Sequence, residues 1–213
     1  MLPTASLKNP DRRKVCTMKF AAGKVAGALF FIAASQFVIG VIVAEARFTN
    51  YSYSISANYI SDLGVGSSAM IFNSSVFLMG LLILIGAYFV QRAFNFKLLT
   101  VLLILTAIGA MGVGVFTENS GNVHPVVSLI AFLFGGLSSI ASYRLLKRPF
   151  SVIAVILGLM ALGALGLYVA GINLGLGVGG MERMVVYPIL MWGAGFGGYL
   201  LANHEEADAQ KPQ

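Results

Sequence analysis

Six apolar runs, each of about 20 residues or more and parted by short polar breaks, dominate this sequence. A bilayer core of roughly 30 Å takes about 20 apolar residues per helix, and every backbone N–H and C=O in it must be satisfied within its own segment. The runs therefore read as transmembrane helices over about 20–44, 69–92, 97–116, 123–146, 150–171 and 181–202. With 58% hydrophobic and only 10% charged residues in 213, no stretch is left for a separate soluble domain. The expected fold is all-α: a polytopic membrane bundle of six helices over 20–202, between a basic tail (1–19) and a polar C-terminal tail (203–213). The triplet Ala44-Glu45-Ala46 looks like a signal-peptidase site. The apolar run before it is far longer than a signal peptide's core of about 7–15 residues, so an uncleaved first helix is expected.

Charge sets the orientation. Lys8, Arg12, Arg13, Lys14, Lys19, Lys24, Arg92, Lys97, Arg144, Lys147, Arg148 and Lys211 fall on one side of the six-span arrangement, and only Arg47 and Arg183 on the other. Positive flanks stay inside, so both termini are expected in the cytoplasm of a protein of the cell membrane. The net charge of +6 is carried at the ends of apolar runs. Its expected partner is the headgroup of an anionic membrane lipid, and no nucleic acid is expected. The acids outside the tails, Glu45, Asp62, Glu118 and Glu182, all fall on the outer side.

One long polar interruption, from Tyr51 to Ser75, stands out in the N-terminal half. Wound as a short helix at about 100° per residue, it puts Ser54, Asn58, Ser61 and Asp62 on one side. Ile55, Tyr59, Ile60 and Leu63 then share the other, giving an amphipathic outer-face segment between helices 1 and 2. Gly64, Gly66, Ser67 and Ser68 break it before the next helix. Glycines at Gly23/Gly27 and Gly193/Gly197, with others on the middle helices, let helix backbones approach closely. They predict tight packing inside the bundle, or a homo-oligomer through one glycine-rich face.

The polar residues divide the function classes. No Asp, Glu, Lys or Arg lies mid-span, which argues against a proton-coupled transporter. A channel or carrier would need a polar path through Gln36, Asn73 and Ser138. The outer connections supply Asn58, Asp62, Glu118, His124, Glu182 and Arg183 as candidate ligand-binding residues, with Arg183 and Arg47 placed to receive an anionic group. Asp62 or Glu118 is the expected partner of Arg183. A catalytic alternative is a lipid-modifying enzyme with Ser61 as nucleophile and His124 as base, oriented by Asp62 or Glu118. No metal and no cofactor are expected: there are two histidines, His124 and His204, on opposite sides of the membrane, and the single Cys16 lies in the basic tail. The leading expectation is a non-catalytic protein that binds a lipid or small polar ligand at the outer cluster.

The stretch Asn58-Tyr59-Ile60-Ser61-Asp62-Leu63-Gly64 with Ile71-Phe72-Asn73 is followed by Gly114-Val115-Phe116-Thr117-Glu118 and His124, then by Glu182-Arg183 and Tyr187-Pro188 before Trp192. Together these resemble the DUF998 family of prokaryotic membrane proteins, although Thr117 stands where a proline often follows the phenylalanine. The resemblance implies six membrane helices and an outer polar cluster, and no named reaction. Ile60-Ser61-Asp62 after the first span is also similar to the Frag1/DRAM/Sfk1 group of multi-span proteins, which implies lipids.

Overall fold

The computed structural model describes residues 10–202, with side chains from residue 17 onward. Residues 1–9 of the expected basic tail, the whole C-terminal tail and His204 lie outside the described residues. Six helices are long and apolar enough to cross a membrane. They are α1 (Pro10–Arg47), α2 (Ala69–Phe94), α3 (Lys97–Val115), α4 (Val123–Ala141), α5 (Phe150–Val169) and α6 (Gly177–Ala202). The chain is therefore a multi-pass helical membrane protein. At 1.5 Å per residue, α1 is roughly 57 Å long, well beyond the hydrocarbon thickness.

The short links force sequence neighbours to pack side by side. Asn95 ends α2 in a left-handed conformation (φ 51°, ψ 43°) that asparagine tolerates, and two residues later α3 starts back. Each helix packs on the next, and α1 also packs on α6, which closes the six into a ring. The closing contact is made by glycines. At Gly197 an added Cβ would meet the backbone of Phe31 and Gly27, and at Gly27 it would meet Gly197 and Leu201. Gly109 likewise lies against Ala131 and Gly136 against Leu162, so these small residues serve the bundle's own interfaces. Gln36 on α1 exchanges hydrogen bonds with Ser75 on α2, which joins those two helices.

α4 also touches α6 directly. The interior space is thus left among α1, α2, α3, α4 and α6, with α5 outside it. Lys97, Arg144, Lys147 and Arg148 are exposed at one end of the ring; the acids whose side chains are described, Glu45, Asp62, Glu118 and Glu182, lie at the other. These are called the basic and acidic ends below.

The segment between α1 and α2 differs in detail from the amphipathic helix expected. It forms turns from Ser54 to Asn58 and then two short 3₁₀ turns, Ser61–Gly64 and Gly66–Ser68. Side chains compete with the helix here. Asn58 Oδ1 accepts the backbone N–H of Ser54, and Asp62 Oδ2 accepts that of Tyr59, so these groups turn the backbone locally. The sidedness shifts accordingly: Ser61 is buried with Ile60 and Leu63, while Ile55 is exposed.

Candidate functional site

Two adjacent residues of α6 organise the acidic end. Gly177 and Gly179 leave room for the Ser54–Asn58 turn to lie directly against the start of α6, where Gly179 donates its N–H to Ser56. Any side chain at Gly179 would collide with the carbonyls of Ile55 and Asn58. Those carbonyls are the acceptors for Arg183, whose Nη1 bonds Ile55 at 2.9 Å, Asn58 at 3.1 Å and Gly179 at 3.0 Å. Its Nη2 bonds Glu45 at 3.1 Å and the Tyr53 hydroxyl at 2.7 Å. Arg183 is 4% exposed, and a buried guanidinium is tolerable only when so engaged. Tyr53 passes its own proton to the carbonyl of Tyr59, and burial pushes its phenol up to about 12.

This corrects the expected pairing of Arg183 with Asp62 or Glu118: its carboxylate partner is Glu45, from the end of α1. Asp62 is spent locally on Tyr59 N–H, the Asn58 amide and, at 3.4 Å, the Tyr51 hydroxyl. It reaches Arg183 only indirectly: through Asn58, which gives its side chain to Asp62 and its carbonyl to Arg183, and through Tyr59 and Tyr53. Nor do Arg183 and Arg47 form a receptor for an anion. The first has both terminal nitrogens engaged within the protein, and the second is exposed, with its carbonyl bonded to Ser67.

Glu182, one residue away and so about 100° around the helix, faces the interior. It is 5% exposed, one oxygen accepts the backbone N–H of Ile60, and the side chain lines the central cavity. Its Oε1 has no hydrogen-bond partner among the described residues. Ser61 also lines the cavity and donates its hydroxyl to Glu118 Oε1 at 2.6 Å. The cavity holds about 90 Å³, and from Phe72 to Ile83 on α2 it follows eleven residues, roughly 16 Å of helix. Below Ser61 and Glu182 its walls are almost wholly apolar, down to Leu103 and Trp192. The polar path that a channel would need is not this space: Gln36, Asn73 and Ser138 are all absent from its lining.

His124 stands apart from the catalytic arrangement expected of it. Its Nδ1 bonds the Phe116 carbonyl at 2.7 Å, so Nδ1 carries a proton, and Nε2 faces the Ser128 hydroxyl at 3.4 Å. The histidine thus fastens the α3–α4 connection and is not hydrogen-bonded to Ser61, Asp62 or Glu118. Among the described residues no three His, Cys, Asp or Glu side chains gather to hold a metal ion. Glu45 and Tyr53 were missed by sequence reasoning. Glu45 was visible as an acid on the correct side, whereas nothing marked Tyr53.

Burial pushes the Glu118 carboxyl up to about 7, against the Ser61 hydrogen bond and with the neighbouring Asp62 adding to the rise. A carboxyl raised above its ordinary 4.5 binds its proton more tightly in the folded state, so stability falls as pH rises from about 4.5 to 7. Partial solvation of the group screens this loss to about 1 kcal/mol. Thermal unfolding in detergent across that range should show the decline in the wild type and not in Glu118→Gln. Parallel curves for the two proteins would place the proton elsewhere.

Comparison with known proteins matches no curated protein and no solved structure. It adds no support for the likeness to the Frag1/DRAM/Sfk1 group. A family model described as "Protein of unknown function (DUF998)" matches residues 20–198, which reaches into all six helices and includes every residue of the acidic-end network. The chain therefore belongs to the DUF998 family.

Proposed function

We propose that this is a protein of the cell membrane, with both termini cytoplasmic, that binds a lipid-like molecule from the outer side without transforming it. The apolar part of the ligand enters the cavity, and its polar head lies at Ser61 and Glu182. The observation that carries this reading is the free Glu182 oxygen at the top of an otherwise apolar, narrow space. A carboxylate there favours a head that donates hydrogen bonds or carries positive charge, such as an amine or hydroxyl. Asp62 and Glu118 next to it reinforce the preference, and Arg183 is already occupied by Glu45 and Tyr53. An anionic head is thus the poorer fit. The volume suits a thin chain better than a bulky ring system, since pockets for drug-sized ligands run to about 300–1,000 Å³. The catalytic alternative draws less support, because His124 bonds Phe116 and Ser128 and not Ser61.

Trp192 is the chain's single tryptophan and lines the cavity, so its fluorescence reports occupancy. A brominated long-chain alkylamine should quench it saturably in detergent, and the matching brominated fatty acid should bind about tenfold more weakly. Ala110→Phe, which fills the cavity, should abolish the saturable part. Equal quenching by both probes, unaltered in Ala110→Phe, would sink the proposal.

A further inference from the structure

A second binding place lies near the basic end, on the lipid-facing side of the ring. A groove of about 550 Å³ opens between Leu98 and Leu102 on α3, Leu137 and Ile140 on α4, and Val155 on α5. The spacing of Leu98 and Leu102 puts both on one face of α3, and Leu137 and Ile140 share a face of α4, so each helix offers one apolar wall. Phe96, Tyr143 and Arg144 close its basic end. The guanidinium of Arg144 stands over the Phe96 ring at 5.7 Å, which holds the charge at the groove instead of letting it sweep through water. Arg144 makes no ion pair with a carboxylate among the described residues. Lys147 and Arg148 are exposed within four residues of it and Lys97 next to Phe96, and every acid whose side chain is described lies at the opposite end. The groove is therefore apolar along its length and cationic at one tip, with no carboxylate of the described side chains beside that tip.

We infer that this groove is a binding site for an anionic phospholipid of the leaflet at the basic end, with acyl chain between α3, α4 and α5 and phosphate at Arg144. Charge complementarity selects the occupant: a cationic tip at headgroup depth attracts an anionic lipid and offers a zwitterionic one less. The exposed Tyr143 beside Arg144 has the amphipathic character of a headgroup-level anchor. The site is separate from the central cavity, shares no lining residue with it and does not depend on what the cavity binds.

The test uses the full chain in neutral detergent, with short-chain phosphatidylglycerol titrated and thermal unfolding followed. Phosphatidylglycerol should raise the unfolding midpoint, as any ligand of the folded state does, while phosphatidylcholine and inorganic phosphate at equal concentration should give little or no rise. Arg144→Gln should weaken the phosphatidylglycerol response about fivefold. Leu102→Trp, which narrows the groove and leaves all charges in place, should weaken it as well. Arg92→Gln removes an exposed charge of α2 at the same end and should leave the response intact. An equal loss in Arg92→Gln and Arg144→Gln would overturn the inference in favour of diffuse attraction. A full response to inorganic phosphate, or an unchanged one in Leu102→Trp, would overturn the role of the groove.

Discussion

Arg183→Gln should cost about 3–5 kcal/mol of folding stability, the range for removing one partner of a buried ion pair. The loss has three sources. Glu45 is left without its cation, the carbonyls of Ile55, Asn58 and Gly179 lose a shared donor, and the Tyr53 hydroxyl loses the group that donates to it. Arg183→Lys should recover only part, because one ammonium has three donors on a single nitrogen and these five acceptors are arranged around two. Thermal unfolding in detergent gives the magnitude, and a double-mutant cycle identifies the partner. Glu45→Gln with Arg183→Gln should cost clearly less than the sum of the singles. Asp62→Asn with Arg183→Gln should couple more weakly than that pair, since the two residues do not touch and are linked through shared partners such as Asn58. Strong coupling to Asp62 and none to Glu45 would mean that the acidic end is arranged otherwise.

Gly197→Leu should be comparably damaging, at about 3 kcal/mol, because the new side chain meets main chain and not a yielding side chain. The Cβ alone would press on Phe31 N and Gly27 O, so α1 and α6 must separate where they close the ring. The neighbouring Gly198 has nothing within 4 Å of a built Cβ, and Gly198→Leu should be nearly neutral. The pair of variants makes the measurement specific: a similar loss in both would show a cost of helix insertion and not of packing. Stability should be followed together with the intrinsic fluorescence of Trp192, which lies about 1.4 turns before Gly197 on the same helix.

The spans were legible because lipid imposes a length and a composition that any reader can count. α2 and α3 begin where a serine-glycine break and a short link put them, although that link is two residues and not the four expected. The start of α6 differs from the expected Met181, since Gly177, Val178, Gly179 and Gly180 look like a loop; they open the helix, and Gly177 and Gly179 are bare where the Ser54–Asn58 turn lies against them. The candidate residues could be read as a group on one side of the membrane, but their pairing could not. Asn58, Asp62 and Arg183 share one network, Glu182 bonds Ile60 beside it, and His124 lies apart. What Arg183 binds, however, is mostly backbone carbonyl, and every residue carries one, so no residue type announces it. The helical reading of Tyr51–Ser68 put Asn58 and Asp62 together, as they are, but left Ser61 on the polar side and Ile55 on the buried one, the reverse of what the turns do. Finally, the cavity arises from side-chain sizes on five helices at once, among them Ala33, Ala34, Ala110 and Gly193, which no local pattern encodes.

The grip of α6 on the Ser54–Asn58 turn has a consequence for how the protein is made. Ribosomes deliver the chain from its N-terminus, so this turn is complete about 120 residues before Arg183 emerges. Until then the carbonyls of Ile55 and Asn58, the N–H of Ile60 and the Glu45 carboxylate have no α6 partner. They must be kept hydrated at the membrane surface while four further spans are inserted. The last helix to enter is thus the latch for the first connection, and a nascent chain stalled before Gly177 would hold five inserted spans around an open top.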